Sequence, residues 1–278
     1  MLEGRPVARA ILDRARDDIA AFVTQSGSMP SLAVVNTGDD LSALAYARAI
    51  ARTAKSVGIP YLRVDLPASV TLDEFDAAIE RLNHDATVAG IIVLQPLPPQ
   101  LPKTRPSEIV APAKDIDGMT LVNIGLLAAG SATLVPSTPA GGVEILHHYQ
   151  IPIAGKHVVI VGRSLVVGKP LAMMLLAEDA TVTLCHSRTP NVREFTREAD
   201  IVALAVGRPG LLTKDMVGGA TVVLDFGVTM VDGSLTGDAD PAVVDAVAAI
   251  TPVPGGTGVV TNAILIRNIV AAIRQSSC

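Results

Sequence analysis

The stretch Lys156-His-Val-Val-Ile-Val-Gly-Arg-Ser-Leu-Val-Val-Gly168 governs the reading of this chain. From His157 to Val161 it is almost uninterruptedly apolar, as a strand covered on both faces of a parallel sheet must be. It ends in Gly162-Arg163-Ser164, and Gly168 opens a segment, Pro170 to Ala177, that reads as a helix. A buried strand that turns through glycines into a helix N-terminus offers unpaired N–H groups and a dipole to an anion, which is how a nucleotide's phosphates are held. The spacing is G-x-S-x-x-x-G and not G-x-G-x-x-G, so taken alone it fits an ordinary tight strand–helix turn equally well.

Outward from this stretch, strands and helices alternate. Leu12, Ala15, Ile19 and Phe22 keep helical spacing. Strands are expected at Ser31–Asn36, Tyr61–Leu66 and Ala89–Leu94, with helices at Leu41–Val57 and Thr71–Asn83 between them. A proline-rich loop from Pro96 to Pro106 follows. Beyond Gly141 come strands at His157–Val161, Thr181–Cys185, Ile201–Ala205 and Thr221–Phe226, and a last helix at Thr261–Gln275. The fold class is α/β with parallel sheets in two domains. Residues 1–140 with 260–278 form one domain, and residues 141–259 form a Rossmann-like NAD(P)-binding domain.

Composition narrows the function. The chain has 278 residues, 49% hydrophobic and 18% charged, with 3% aromatic and no Trp, so the core must be aliphatic. A formal net charge of −5 without a basic cluster argues against nucleic acid as a partner. The uncharged segment 118–143 is broken by Gly125, Gly130, Pro136, Pro139 and Gly141, so no membrane span is expected. Two cysteines, Cys185 and Cys278, cannot make a disulfide framework, and the N-terminus lacks a secretory pattern; a cytoplasmic location is expected. His147-His148 has no carboxylate or cysteine placed to complete a metal site and reads as structural.

Six segments, in order, carry a resemblance. They are Gly90-Ile-Ile-Val-Leu-Gln-Pro-Leu-Pro98, Pro112-Ala-Lys-Asp-Ile-Asp-Gly118, Pro136-Ser-Thr-Pro-Ala-Gly-Gly142, Gly162–Pro170, Ala180-Thr-Val-Thr-Leu-Cys-His-Ser187 and Thr251-Pro-Val-Pro-Gly-Gly256. Together they resemble the bifunctional methylenetetrahydrofolate dehydrogenase/cyclohydrolase family. The resemblance implies a homodimer in which a tetrahydrofolate derivative and NADP meet in the cleft between two domains. It also implies Tyr46, Ile50, Leu94, Gln95, Asp117, Pro254, Gly255 and Gly256 on the substrate side, with Asp117 and Tyr46 as the catalytic pair. On the cofactor side it implies Thr138, Gly162, Arg163, Ser164, Gly168, Ser187, Arg188 and Gly207.

The residues have readings of their own. Asp117 can accept two hydrogen bonds from an aminopyrimidine edge, or close an Asx-type turn before Gly118; Asp115 is read as the turn residue. Tyr46 can stack or hydrogen-bond at a pterin, or serve as half-buried core. An NAD-specific site places an acidic residue about 20 residues past the glycine loop. Here the second strand ends in Cys185-His186-Ser187-Arg188, with no acid. Arg163, Ser187 and Arg188 can surround a 2′-phosphate, which favours NADP, or stay as solvated surface groups. Gly207, after Ala203-Leu-Ala-Val206, lets backbone approach the cofactor.

The chain departs from the family at three places. The family helix reads Tyr, three residues, Lys; here Tyr46 is followed by Ile50. The family strand ends Val-Gln-Leu-Pro-Leu-Pro; here it reads Val93-Leu94-Gln95-Pro96, which turns the amide to the other face unless the register slips. The usual Gly-Gly-Val-Gly-Pro-Met-Thr appears as Gly255-Gly-Thr257-Gly-Val259-Val260-Thr261. Hydride transfer from methylenetetrahydrofolate requires alignment but no protein proton. Hydrolysis of the methenyl product requires a proton-shuttling group, in the family the lysine beside the glutamine. Lys55 lies about half a turn round the helix from Tyr46, and arginine is a poor base. The expectation is an NADP-dependent dehydrogenase with cyclohydrolase weak or absent. Two alternatives stay open: a dehydrogenase for another one-carbon or amine-derived substrate, and a non-catalytic folate- or nucleotide-binding paralogue.

Overall fold

The structure is a computed structural model that describes residues 1–275, so Cys278 lies outside the described residues. The chain divides into two compact units: Ala10–Ser137 with the chain from Asn262 onward, and Met1–Arg9 with Thr138–Thr261.

The first unit runs α1 (Gly4–Ser26), β1 (Ser31–Thr37), α2 (Leu41–Ser56), β2 (Tyr61–Leu66), α3 (Leu72–His84), β3 (Val88–Val93), α4 (Arg105–Ile109) and α5 (Leu121–Ala128). Its three strands are parallel in the order β2-β1-β3. The middle strand is covered on both faces. Leu32 and Val34 pack with Ala43, Ala47 and Ile50 of α2. Ala33 and Val35 pack with Phe75, Ile79 and Leu82 of α3. Both helices start where a polar side chain takes orphan amides. Asp40 accepts from Ser42 and Ala43, and Thr71 and Glu74 form a capping box; each cap contributes about 1 kcal/mol.

The second unit continues with α6 (Ser137–His148), β4 (His157–Val161), α7 (Gly168–Ala177), β5 (Thr181–Cys185), α8 (Val192–Thr196), β6 (Ile201–Leu204), β7 (Val222–Asp225), β8 (Thr229–Val231), β9 (Ser234–Thr236) and β10 (Ala249–Ile250), and α9 (Thr257–Gln275) starts in it and belongs to the first unit from Asn262 onward. Its five-stranded sheet is parallel, in the order β10-β7-β6-β4-β5, and β8 and β9 form a separate hairpin. β5 lies on one side of β4 and β6 on the other, so the strand order reverses at β4. That is the switch point outside whose carboxyl ends ligands bind in open α/β sheets.

The division differs from the expected one at the N-terminus. Residues 1–9, expected with the first domain, belong to the second unit, because the Leu2 amide donates to the Ile250 carbonyl and the Gly4 amide to the Gly255 carbonyl, both at 2.8 Å. α9 begins four residues before the expected Thr261 because Thr257 ties it down, its hydroxyl donating to the Asp225 carbonyl at 3.1 Å. Farther along, Leu265, Ile266, Ile269 and Val270 of α9 enter the first unit's core beside Leu32 and Val34.

Candidate active-site residues

In the first unit the segment carrying Asp117 runs beside β3, with a parallel bridge between Ile91 and Asp115. Asp115 is buried and accepts from the Thr120 amide at 2.7 Å and the Asn123 side-chain amide at 2.8 Å, which makes it the structural carboxylate of the pair. Asp117 is half-buried and receives the Ser137 hydroxyl at Oδ1. The segments bearing these two residues are bracketed from α9. One amide, Asn268 Nδ2, donates to the Ile116 carbonyl at 2.7 Å and the Val135 carbonyl at 2.8 Å. Burial pushes the Asp117 carboxyl up to about 7, against the pull of the Ser137 hydrogen bonds and with a push from the Asp115 charge. Burial also raises the Tyr46 phenol, and the Asp117 charge adds to it, so these two residues feel one another.

Ile50 and Leu94 meet in the same core. α2 turns Ala43, Ala47, Ile50 and Ala54 inward. Ile50 is 1% exposed and Leu94 2%, in one apolar cluster with Ile116, and Tyr46 packs against it. Gln95 is exposed. The Leu94 amide donates to the Val35 carbonyl at 2.9 Å, which carries the β1–β3 pairing one residue past β3, so no register slip turns Gln95 inward. Among the described residues of this unit, no lysine joins this cluster. The Lys114 ammonium is engaged by the Leu82 and Asp85 carbonyls at 3.0 and 2.6 Å, and Lys55 and Lys103 are exposed.

In the second unit the glycine loop is drawn tight. A Cβ on Gly162, whose φ is +127°, would lie 2.4 Å from the Ala205 carbonyl oxygen at the end of β6. A Cβ on Gly168 would lie 2.0 Å from the Gly162 carbonyl oxygen. Backbone therefore approaches backbone here, and only glycine fits. The Ser164 hydroxyl accepts from the Val167 and Gly168 amides at 3.1 and 3.4 Å, so in this structure it caps α7 from the loop. Gly168→Ala should weaken NADP binding roughly tenfold or more, since the added methyl must push the loop open; titration with NADP, with circular dichroism to check folding, measures this.

Beyond β5, His186–Thr189 is a turn in which the Thr189 hydroxyl accepts from the His186 amide at 2.9 Å. Arg163, Ser187 and Arg188 are exposed, and no carboxylate stands at this strand end. Gly207 has φ +71° in the loop after β6, and Thr138 is half-buried in the first turn of α6. Pro254, Gly255 and Gly256, expected on the substrate side, belong to the second unit, where they lead into α9. His147 faces Glu178 at 2.7 Å and His148 meets Tyr149 edge-on. Among the described residues no group of three or more metal-ligating side chains exists.

Two α/β units, one of them with a tight glycine loop at the switch point of its parallel sheet, define a two-domain α/β protein of the dinucleotide-binding class. Its relatives narrow the class. The catalytic-domain model of the tetrahydrofolate dehydrogenase/cyclohydrolase family matches residues 2–117, and its NAD(P)-binding-domain model matches residues 136–277. The bifunctional protein FolD of Roseiflexus sp. (strain RS-1) is 46% identical over 99% of this chain and 96% of its own length. The crystal structure of the bifunctional FolD enzyme of Campylobacter jejuni superposes with a TM-score of 0.95 at 36% identity, covering 99% of this chain and 98% of that one. The Trypanosoma brucei methylenetetrahydrofolate dehydrogenase-cyclohydrolase, solved with NADP and an inhibitor, does so with a TM-score of 0.93 at 34% identity, covering 99% and 97%. The chain belongs to the tetrahydrofolate dehydrogenase/cyclohydrolase family.

Proposed function

We propose that the protein is an NADP-dependent 5,10-methylenetetrahydrofolate dehydrogenase with little or no cyclohydrolase activity. The observation that carries this reading is the joint burial of Ile50 and Leu94, where the family resemblance calls for a lysine and a glutamine. The relatives are bifunctional by name, so the reading separates this chain from them at the second reaction only.

The dehydrogenase half keeps what it needs. Asp117 accepts two N–H groups from the pterin's aminopyrimidine edge and fixes the ring's orientation, with Tyr46 beside it. The N5 and N10 lone pairs of the substrate stabilise the cation left when hydride departs, so no side chain has to give or take a proton. Alignment is the protein's contribution, worth several kcal/mol. The glycine loop fits a dinucleotide, because the close approach at Gly162 and Gly168 leaves backbone where phosphates are held. When bound, NADP supplies the hydride acceptor. Arg163, Ser187 and Arg188 would hold its 2′-phosphate.

Hydrolysis of the methenyl product requires a proton shuttle. At position 50 the pocket holds a hydrocarbon packed against another, and neither can carry a proton. Incubation with methylenetetrahydrofolate and NADP or NAD, following reduced cofactor and methenyl absorbance together, tests the whole reading. Both signals should rise and the methenyl signal should persist; cofactor and folate binding without turnover would refute the dehydrogenase. Arg163→Ala with Arg188→Ala should raise the KM for NADP about tenfold and leave the KM for NAD nearly unchanged, since each of the two exposed charge contacts is worth up to about 1 kcal/mol. Equal effects on the two cofactors would remove the 2′-phosphate assignment. A homodimer, implied by the resemblance, is the expected assembly, and light scattering on the purified protein checks it.

A further inference from the structure

The loop after β6 is held from inside by a carboxylate. The Val206 and Gly207 amides donate to one oxygen of Asp238 at 2.8 and 3.0 Å, and the Arg208 amide donates to the other at 2.5 Å. Three consecutive amides converging on one point make the kind of concavity that binds an anion. Here the anion is part of the chain, and Asp238 is wholly buried. Behind it stands a second buried carboxylate. Asp225 accepts from the Gly227 and Asp238 amides at 2.8 and 3.1 Å through Oδ1, and from the Ala239 amide at 2.9 Å through Oδ2. Six backbone amides thus converge on two carboxylates in series. A Cβ on Gly227 would lie 2.3 Å from Asp238 Cγ, so the site leaves no room for a looser arrangement.

The position of this loop gives the network a purpose. β6 neighbours β4 on the side of the switch point away from β5, and the Ala205 carbonyl at its end is what Gly162 closes upon. The two loops that flank the switch point are therefore in contact. Val206, Gly207 and Arg208 are exposed on their outer side while their amides are engaged inside. From outside, the Thr229 hydroxyl donates to the Gly207 carbonyl at 3.1 Å.

We propose that Asp238 is a positioning residue for the dinucleotide: its carboxylate sets the shape of the Val206–Arg208 loop beside the glycine loop, and Asp225 holds Asp238 in place. The inference rests on the reading of this unit as the cofactor site. In Asp238→Asn the side chain keeps its shape but turns one acceptor into a donor facing a backbone donor, so the loop must reorganise. The Kd and KM for NADP should rise about 10- to 100-fold, with kcat at saturating NADP and the KM for methylenetetrahydrofolate each within about threefold of wild type. Thr229→Val loosens the same loop from its exposed side without touching the buried pair, and should raise the KM for NADP about threefold.

Calorimetric titration with NADP, steady-state kinetics and thermal melts on the full chain decide it. A lowered melting temperature in Asp238→Asn with unchanged NADP affinity would overturn the proposal and leave a purely structural carboxylate. If Asp238→Asn does not fold, an unchanged KM for NADP in Thr229→Val overturns it instead. Failure of the wild-type protein to bind NADP would refute the cofactor reading itself, a different result from wild-type binding that the variants share.

Discussion

Asp117→Asn will lower kcat/KM for methylenetetrahydrofolate by about two orders of magnitude and leave the KM for NADP within about threefold, because two charge-assisted hydrogen bonds are exchanged for at most one neutral one. The carboxylate sits where such an exchange is felt. It is half-buried, the Ser137 hydroxyl occupies one of its oxygens, and the Asn268 bracket holds both segments, so the loop has little freedom to compensate.

The wild-type enzyme should also show a pH limb that the variant lacks. Burial holds the free carboxyl at about 7, whereas the donors of a pterin favour its ionised form. With Asp117 in the proposed role, substrate binding is coupled to loss of the proton. As pH falls below about 7, the KM for the folate should climb towards tenfold per unit, and above that value it should level off. For stability the sign is opposite. A carboxyl whose folded pKa lies above its unfolded one favours the fold when protonated, and that contribution fades as pH rises through about 7. Ser137→Ala, which removes a hydrogen bond to the ionised form, should move the kinetic limb to higher pH. A folate KM that is flat between pH 6 and 8 would show that Asp117 does not bind the substrate as a carboxylate.

Much of this was legible in the sequence because it rests on periodicity and glycine. The buried run His157–Val161 and the strand Tyr61–Leu66 have the bounds that alternation and apolar content dictate, and Thr71 caps its helix as a threonine three residues before a glutamate should. Ile50 falls inward because it lies seven residues from Ala43 on an amphipathic helix. What was hidden depends on partners distant in the chain. Asn268, in the middle of an apolar helix, reads as a minor blemish until the Ile116 and Val135 carbonyls are seen on either side of its amide. Ser137 lies 20 residues from Asp117, and Asp238 lies 30 or more from the amides it gathers. Nothing local in the chain distinguishes these polar residues from loop or surface ones. The grouping of the first nine residues with the second unit has a cause of the same kind, two backbone hydrogen bonds to the distant Ile250 and Gly255.

The second reaction gives the sharpest test. The wild-type protein should convert methenyl- to formyl-tetrahydrofolate no faster than buffer does, and Ile50→Lys alone should raise that rate less than tenfold. A lysine at a position 1% exposed enters an apolar cluster in which Leu94 and Ile116 offer it no hydrogen bond, so it is destabilised as a cation and has nothing to orient it as a base. Exchanging the neighbouring pair as well, in Ile50→Lys with Leu94→Gln and Gln95→Leu, puts an amide on the buried face and an apolar side chain on the exposed one. A positioned proton shuttle is worth about 10²–10⁴-fold, so the triple variant should show a gain approaching that range while the dehydrogenase, which requires no such group, survives within about tenfold. Dehydrogenase activity thus serves as the folding control for the hydrolase assay. A robust gain from Ile50→Lys alone would mean that the lysine acts without its partner. A triple variant that folds and oxidises its substrate but hydrolyses nothing would mean that the loss lies elsewhere in the pocket.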